Sequence, residues 1–140
     1  MAFDGNEGTF WGTEDDLNVG SWIKFNLVGV CRLTKIMVMG RDCGGGNLAK
    51  DVSLQFLNGV QMDFTLDDTL SWQTIDLEGI GKHIMTDSAK ITIDSVYRRN
   101  TGCETGFREF QVFGLTLGMR YNDNVTKHYR SGNFPYFLII

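Results

Sequence analysis

The chain has 140 residues, which is enough for one domain with its own buried core and no obligatory disulfide or metal. Its net charge is −4, and the thirteen lysines and arginines are scattered apart from Arg98-Arg99, which argues against nucleic acid as a partner. No apolar run reaches the length of a membrane span and the N-terminus has no secretory-signal pattern, so we expect a soluble domain.

The chain opens on AFDGNEGTFW, Ala2 to Trp11, a segment rich in turn-forming and oxygen-bearing residues. Asp4 supplies a charged oxygen, Gly5 lets the backbone turn, and Asn6 and Thr9 add further oxygens. Hard oxygen donors in a turned loop suit Ca²⁺. The alternative is an Asp-Gly turn in which Asp4 accepts hydrogen bonds from nearby backbone amides, and composition alone favours that alternative.

Beyond this loop the apolar residues alternate in short runs, the period of strands with one buried face. The segments between the runs are rich in Gly, Asn and Asp, which turn the chain. This pattern predicts an antiparallel β-sandwich or barrel. The candidate strands are 21–27, 33–39, 52–56, 61–66, 71–75, 83–85, 90–97 and 107–113.

Two local features refine this prediction. Asn58-Gly59 lies between two alternating runs and indicates a hairpin with a two-residue turn. Trp11, Trp22 and Trp72 fall within or beside predicted strands, so we expect them in the core rather than as platforms for a sugar.

Three cysteines leave at least one unpaired within the chain. Cys43 and Cys103 both lie in polar, Gly-rich loops and are candidates for a disulfide, with free thiols as the alternative. After Gly114 the chain changes character: residues 115–140 are polar at first and end in FPYFLII. We expect a sandwich over 1–114 and a C-terminal extension over 115–140 that adds an edge strand or packs elsewhere.

The ordered blocks AFDGNEGTFW, GSWIKFNLVGVCRLTKIMVMGRD and GFREFQVFG resemble the discoidin or coagulation-factor C-type family and the related galactose-binding carbohydrate modules. The resemblance covers about Ala2 to Gly114. It implies an eight-stranded antiparallel jelly-roll β-sandwich, which agrees with the strand pattern. The chain departs from the family where Asn26-Leu27-Val28-Gly29 replaces Asp-Leu-Gly, and it lacks the usual strand ahead of the opening loop.

The resemblance also implies a structural Ca²⁺ that ties the two ends of the domain together. Carried over by position, its side-chain ligands are Asp4, Asn6, Thr9 and Glu109, and backbone oxygens near Met1 and Arg108 are further candidates. Such an ion binds the folded state and stabilises it by mass action.

In this family the ligand surface is formed by loops at one end of the sandwich. Arg41 and Asp42 end one predicted strand, and Tyr97, Arg98, Arg99 and Asn100 open the loop after another. Planar polar groups and an aromatic ring are suited to sugar hydroxyls and to the apolar face of a sugar ring. The alternatives are a buried salt bridge for Arg41 and a solvated loop for Arg98-Arg99.

The sequence contains no recognisable catalytic motif, because neither a nucleophile with its base nor a cofactor-binding loop can be identified. GRDCGGGN lacks the Lys-Ser/Thr ending of a phosphate-binding loop. We therefore expect a non-catalytic, lectin-like module for galactose-type or related glycans, stabilised by calcium, in an extracellular or cell-surface protein. Protein adhesion or assembly by the same fold is the alternative. A lipid membrane is disfavoured as a partner, because the loops GRDCGGGN and RRNTGCETG have no exposed apolar tips.

Overall fold

The computed structural model describes residues 8, 10–13, 19–41, 47–97, 104–116 and 134–136. All regular structure in them is β, and every strand pairing is antiparallel. In this part of the chain there is no helix with the length and apolar character needed to cross a bilayer. The strands are β1 (Trp11–Gly12), β2 (Trp22–Gly40), β3 (Leu48–Ala49), β4 (Asp51–Phe56), β5 (Gln61–Thr65), β6 (Trp72–Asp76), β7 (Ile84–Ile93), β8 (Val96–Tyr97), β9 (Gly106–Thr116) and β10 (Phe134–Tyr136).

The long strand β2 organises the main sheet. The order of that sheet is β1-β9-β2-β7-β4-β5, with β6 also paired to β2 and β10 to β9, while β3 and β8 form a separate pair. The pairing of β2 with β7 is irregular between Asn26 and Cys31, and Gly29 there has a φ of 92°. Glycine adopts such a φ without the penalty that a Cβ imposes. The first part of β2 pairs with β7, and the second part also pairs with β6 and β9.

Among the described residues the strands enclose one hydrophobic core. Val52 and Leu54 of β4 belong to the same buried cluster as Phe110 and Val112 of β9, although β7 and β2 separate these two strands in the sheet order. The sheet is therefore folded into two layers that face each other. The all-β sandwich expected from alternation in the sequence is confirmed.

The strand boundaries differ from the predicted ones in two places. The predicted strands 21–27 and 33–39 are one strand, because the irregular stretch around Gly29 bends β2 without ending it. The predicted strands 83–85 and 90–97 are likewise joined in β7, which is followed by the short β8.

The Asn58-Gly59 hairpin is confirmed, since β4 pairs with β5 on either side of it. Its turn is longer than predicted: Phe56 N donates to Val60 O, which leaves three residues in the loop. Gly59 has a φ of 79°, as expected of a three-residue loop that places a glycine in the left-handed region.

The expectation that all three tryptophans lie in the core is wrong for Trp22, which is 55% exposed. Trp22 begins β2 on its outward-facing side, in alternation with the buried Phe25 and Leu27. Trp11 packs against the core, and Trp72 is half-buried.

The C-terminal part of the chain contributes to the sheet. Phe134, Pro135 and Tyr136 lie opposite Gly114, Phe113 and Val112 of β9. The expected boundary after Gly114 falls inside β9, which continues to Thr116.

Candidate functional site

The candidate site lies at the end of the sandwich where β2 terminates. Arg41 follows the last residue of β2, and its backbone N donates to Gly106 O at the start of β9. Gly40, the preceding residue, lies against the side chain of Leu48, and Leu48 is paired with Tyr97. Arg41 and Tyr97, two of the residues predicted to bind the ligand, are therefore at the same end of the molecule.

Arg41 forms an ion pair with Glu104. Nη2 of Arg41 lies 2.5 Å from Oε1 of Glu104, and the two side chains are 12% and 28% exposed. The hydrogen bond from Arg41, assisted by its positive charge, holds the pKa of the Glu104 carboxyl below its ordinary value of 4.5, against the opposing effect of partial burial. This is the salt bridge that the sequence left open as the alternative for Arg41.

The ring of Phe10 covers the guanidinium. The Cζ atom of Arg41 lies 3.4 Å from the ring centroid, which is the geometry of a cation-π contact. Phe10 remains 48% exposed, so a large part of the ring faces solvent. The result is an exposed aromatic ring beside a partly exposed carboxylate, both held by one arginine.

Glycine at position 12 makes room for this cluster. A Cβ on Gly12 would collide with Nη1 of Arg41 and would lie 2.6 Å from Oε2 of Glu104. The backbone of β1 therefore approaches the ion pair so closely that a side chain at position 12 would displace the ends of Arg41 and Glu104.

Hydrogen bonds from the backbone and to the Thr13 hydroxyl fix the two segments that carry the cluster. Thr13 N donates to Thr105 O at 2.8 Å, and Thr105 N donates to Thr13 Oγ1 at 3.1 Å. Gly12 and Trp11 pair with Gly106 and Phe107. Residues 10–13 and 104–107 consequently hold Phe10 and Glu104 close to Arg41.

Tyr97 has a bracing role in the structure. Its hydroxyl donates to Leu66 O at 3.0 Å, its ring is half-buried, and Nζ of Lys50 lies 5.7 Å from the ring centroid. Nearby, Asp51 accepts hydrogen bonds from Ser95 and Thr65, and these lower the pKa of its carboxyl. These contacts tie the chain around β8 to β4 and β5.

Glu109, the predicted calcium ligand on β9, is 1% exposed and accepts a hydrogen bond from Phe110 N at 3.2 Å. Glu109 lies two residues after Phe107 on β9, and Phe107 is paired with Trp11. Trp11 adjoins the predicted metal loop, so Glu109 lies near the end of that loop. A carboxylate buried to this extent is stabilised by hydrogen-bond donors or by a cation, and the calcium role of Glu109 stays a prediction. Arg108 beside it is half-buried.

The other predicted site residues lie outside the described residues. For the metal site these are Met1, Asp4, Asn6 and Thr9, and for the ligand site they are Asp42, Arg98, Arg99 and Asn100. Cys43 and Cys103, the candidate disulfide, also lie there. The described residues contain no group of three or more His, Cys, Asp or Glu side chains arranged to hold a metal.

Sequence reasoning missed Phe10, Gly12 and Glu104 as members of the site. Phe10 and Gly12 flank Trp11 at the end of the opening loop, and Glu104 stands in a polar loop ahead of β9. No spacing within the chain links these positions, because the contact between them arises from the pairing of β1 with β9.

No protein-family model and no curated protein sequence matches the chain. Solved structures do match. The family 32 carbohydrate-binding module from C. perfringens NanJ, solved in complex with galactose, aligns with a TM-score of 0.64 at 20% identity, over 79% of this chain and 80% of that chain. The fucose binding module SpX-3 from Streptococcus pneumoniae aligns with a TM-score of 0.57 at 20% identity, over 82% and 83%.

Arabinofuranosyltransferase AftD from Mycobacteria also aligns, with a TM-score of 0.65 at 18% identity. The alignment covers 84% of this chain and 9% of the transferase chain. At these identities the similarity shows the fold alone. The jelly-roll sandwich implied by the resemblance is therefore the fold of this chain.

Proposed function

We propose that this chain is a non-catalytic carbohydrate-binding module that recognises galactose-type or related glycans at the Arg41 end of the sandwich. The main support is a fold match that covers about four fifths of both chains, with a module solved in complex with galactose. The aligned region therefore comprises most of that binding module and not a small part of it. The match to the transferase concerns 9% of that chain and supplies no argument for catalysis here.

The chemistry of the cluster suits a sugar. The exposed part of the Phe10 ring offers an apolar surface to the C–H face of a pyranose, and the Glu104 carboxylate accepts hydrogen bonds from neighbouring hydroxyls. Arg41 lies beneath both groups and is the least exposed of the three. Its contribution is to hold the ring and the carboxylate in one orientation before the ligand arrives, which reduces the entropy cost of binding.

We further propose that Ca²⁺ acts as a structural ion on Glu109, together with Asp4, Asn6 and Thr9. The support from the described residues is the burial of the Glu109 carboxylate on β9, close to the β1 pairing. When bound, the ion would neutralise this carboxylate and connect the start of the chain to β9.

An extracellular or cell-surface location for the parent protein is part of the proposal, since glycans of this type are displayed there. Protein adhesion or assembly by the same fold is the competing function. In that case the same loops would bind a protein partner, and no sugar would be needed.

The test is binding to a glycan array, followed by calorimetry with the best ligand, for wild type, Arg41→Gln and Arg32→Gln. Arg32 is the matched control because it also lies on β2 and also forms an ion pair, 3.2 Å from Glu78. It lies opposite Leu115 of β9, whereas Arg41 is bonded to Gly106 at the other end of that strand.

We expect Arg41→Gln to weaken glycan binding by about tenfold or more, because Phe10 and Glu104 lose their common anchor. Arg32→Gln should leave the affinity unchanged. The absence of binding to any glycan by the folded, calcium-loaded wild type would reject the lectin function and favour protein adhesion.

A further inference from the structure

We propose a second binding site, for an acidic glycan, on the outer face of the sheet formed by β2, β7, β4 and β5. This site is centred on Trp22, Lys24 and Lys90, and it is separate from the Arg41 end of the proposed function. We call this surface the Trp22 face.

The register of the strands defines the Trp22 face in two rows. Residues directly opposite each other in adjacent strands point to the same side of a sheet. The first row consists of Trp22, Thr92, Ser53 and Asp63. The second row consists of Lys24, Lys90, Gln55 and Gln61. The four strands span about 14 Å at the usual separation of strands, which is wider than one sugar ring.

Trp22 is the aromatic platform of this face. It is 55% exposed although it stands in a regular strand whose alternate residues are buried in the core. Nζ of Lys90 lies 5.7 Å from the centroid of its ring. An exposed indole in a strand offers a flat apolar surface at a fixed orientation, against which the C–H face of a sugar can stack.

The two lysines supply the preference for an acidic ligand. Lys24 and Lys90 are directly opposite each other in an antiparallel pair, an arrangement in which like charges repel. Within the described residues neither lysine forms an ion pair. An anionic group placed between them would relieve this repulsion and would gain two charge-assisted hydrogen bonds.

The acidic residues near this face lie at its first row, and each accepts a hydrogen bond from a neutral side chain, whereas the two lysines lie in the second row. Asp63 accepts a hydrogen bond from Gln61 Nε2 at 3.0 Å, and Asp94 accepts one from Ser53. The amides of Gln55 and Gln61 continue the row that begins with the lysines, and amides both donate to and accept from sugar hydroxyls.

The composition of the Trp22 face favours a glycan over a protein. One aromatic ring is surrounded by lysines, amides, hydroxyls and the carboxylate of Asp63, whereas the centre of a protein interface is apolar and depleted in lysine. Carboxylated sugars combine the two properties that the face would recognise, an apolar ring face and a negative charge.

The test is calorimetry with a hyaluronan hexasaccharide, with the methyl ester of its carboxyl groups as the uncharged counterpart. The proteins are wild type, Trp22→Ala, the double variant Lys24→Gln/Lys90→Gln, and Lys82→Gln as a matched surface control. Because Trp22 is exposed, its removal should leave the fold intact, and a thermal melt of each variant verifies this.

We expect the wild type to bind the acid and to bind the ester at least about tenfold more weakly. Trp22→Ala and the double lysine variant should each lose about tenfold in affinity for the acid. Lys82→Gln should bind the acid as the wild type does, and Arg41→Gln is added to measure any contribution of the Arg41 end to binding of the acid.

Several results would overturn the proposal: no binding of the acid by wild type, equal binding of acid and ester, or an equal loss in Lys82→Gln. Loss of acid binding in Arg41→Gln but not in Trp22→Ala would assign the acidic sugar to the Arg41 end. Self-association of the wild type that Trp22→Ala abolishes, without any binding of the acid, would assign the Trp22 face to a second copy of the chain.

Discussion

The guanidinium of Arg41 and the carboxylate of Glu104 are 2.5 Å apart, and the ring of Phe10 covers the arginine at 3.4 Å. Arg41 follows β2, whereas Glu104 precedes β9. The pairing of these neighbouring strands holds the two side chains together. The ion pair is thus a direct product of the sheet topology, and it supports an exposed aromatic ring.

Gly12→Ala tests the packing of this cluster. The added Cβ would collide with Arg41 and crowd Glu104, so the ion pair must shift away from β1. Since both atoms are the ends of flexible side chains, we expect a small loss of stability, about 1 kcal/mol, and a larger proportional loss of glycan affinity, about tenfold. Thermal melts and calorimetry measure the two effects.

Gly79→Ala is the matched control for Gly12→Ala. Its Cβ would collide with the carboxylate of Asp76, another flexible side chain, in a turn far from Arg41 in the sequence. Unchanged glycan affinity in Gly12→Ala would show that the position of the ion pair does not matter for the ligand.

Glu104→Gln tests the electrostatic role of the pair through its pH dependence. Arg41 lowers the pKa of Glu104 in the folded state. A carboxyl group with a depressed folded pKa stabilises the protein above its unfolded pKa, and that contribution is lost as pH falls through the folded value. We therefore expect the wild type to be about 1 kcal/mol more stable than Glu104→Gln at pH 7, with the difference shrinking below about pH 4.5.

Denaturant unfolding from pH 7 to pH 3 measures this difference. Glu78→Gln is the control, because Glu78 pairs with Arg32 over 3.2 Å at a more exposed position. A constant difference between wild type and Glu104→Gln across this range would contradict a stabilising charge on Glu104.

The fold was predictable because the alternation of apolar and polar residues along a strand reflects which side chains are buried. Phe25 and Leu27 point into the core, whereas Trp22, Lys24 and Asn26 point out. The two-residue period of a β-strand can therefore be recognised in the sequence. The continuity of β2 through Gly29 was not visible. A bulge looks like a turn in sequence, and only pairing with the neighbouring strands shows that the strand goes on.

The site was predictable only in part. Arg41 stood out as a charged residue at the end of an apolar strand, but its partner Glu104 is remote in the sequence and carries no pattern of its own. Trp22 falls within a predicted strand, which favours the core, but the phase of the alternation places it on the outward side, where it is 55% exposed.

Glu109→Gln tests the proposed calcium site. An ion that binds only the folded state raises stability by about 2.7 kcal/mol at a concentration one hundred times its dissociation constant. We expect calcium to raise the melting temperature of the wild type by several degrees over the chelated protein, and to raise that of Glu109→Gln much less. Comparing the calcium-dependent shift, rather than the absolute melting temperature, removes the cost of altering a buried residue.

Glu104→Gln serves here as the control, since it changes a carboxylate near the same end of β9 that was not assigned to the ion. It should keep the full calcium shift. Identical calcium responses in wild type and Glu109→Gln would remove Glu109 from the ligand set, and the absence of any response in the wild type would remove the calcium.

Truncation after Thr116 tests whether the C-terminal residues belong to the fold. In the intact chain β10 pairs with Val112–Gly114 of β9. Its removal leaves the edge of β9 unpaired there, while the pairing with β1 persists at residues 106 and 107. Unpaired edge strands favour association with other chains.

We expect this truncation to lower stability by about 2 kcal/mol, because several backbone hydrogen bonds are lost, and to promote self-association. A second truncated protein, which ends at Tyr136, retains β10. It should match the full chain in stability and in self-association. Denaturant unfolding and sedimentation measure the two effects. If both truncated proteins were as stable and as monomeric as the full chain, the pairing of β10 would contribute nothing to the fold, and the module would end with β9.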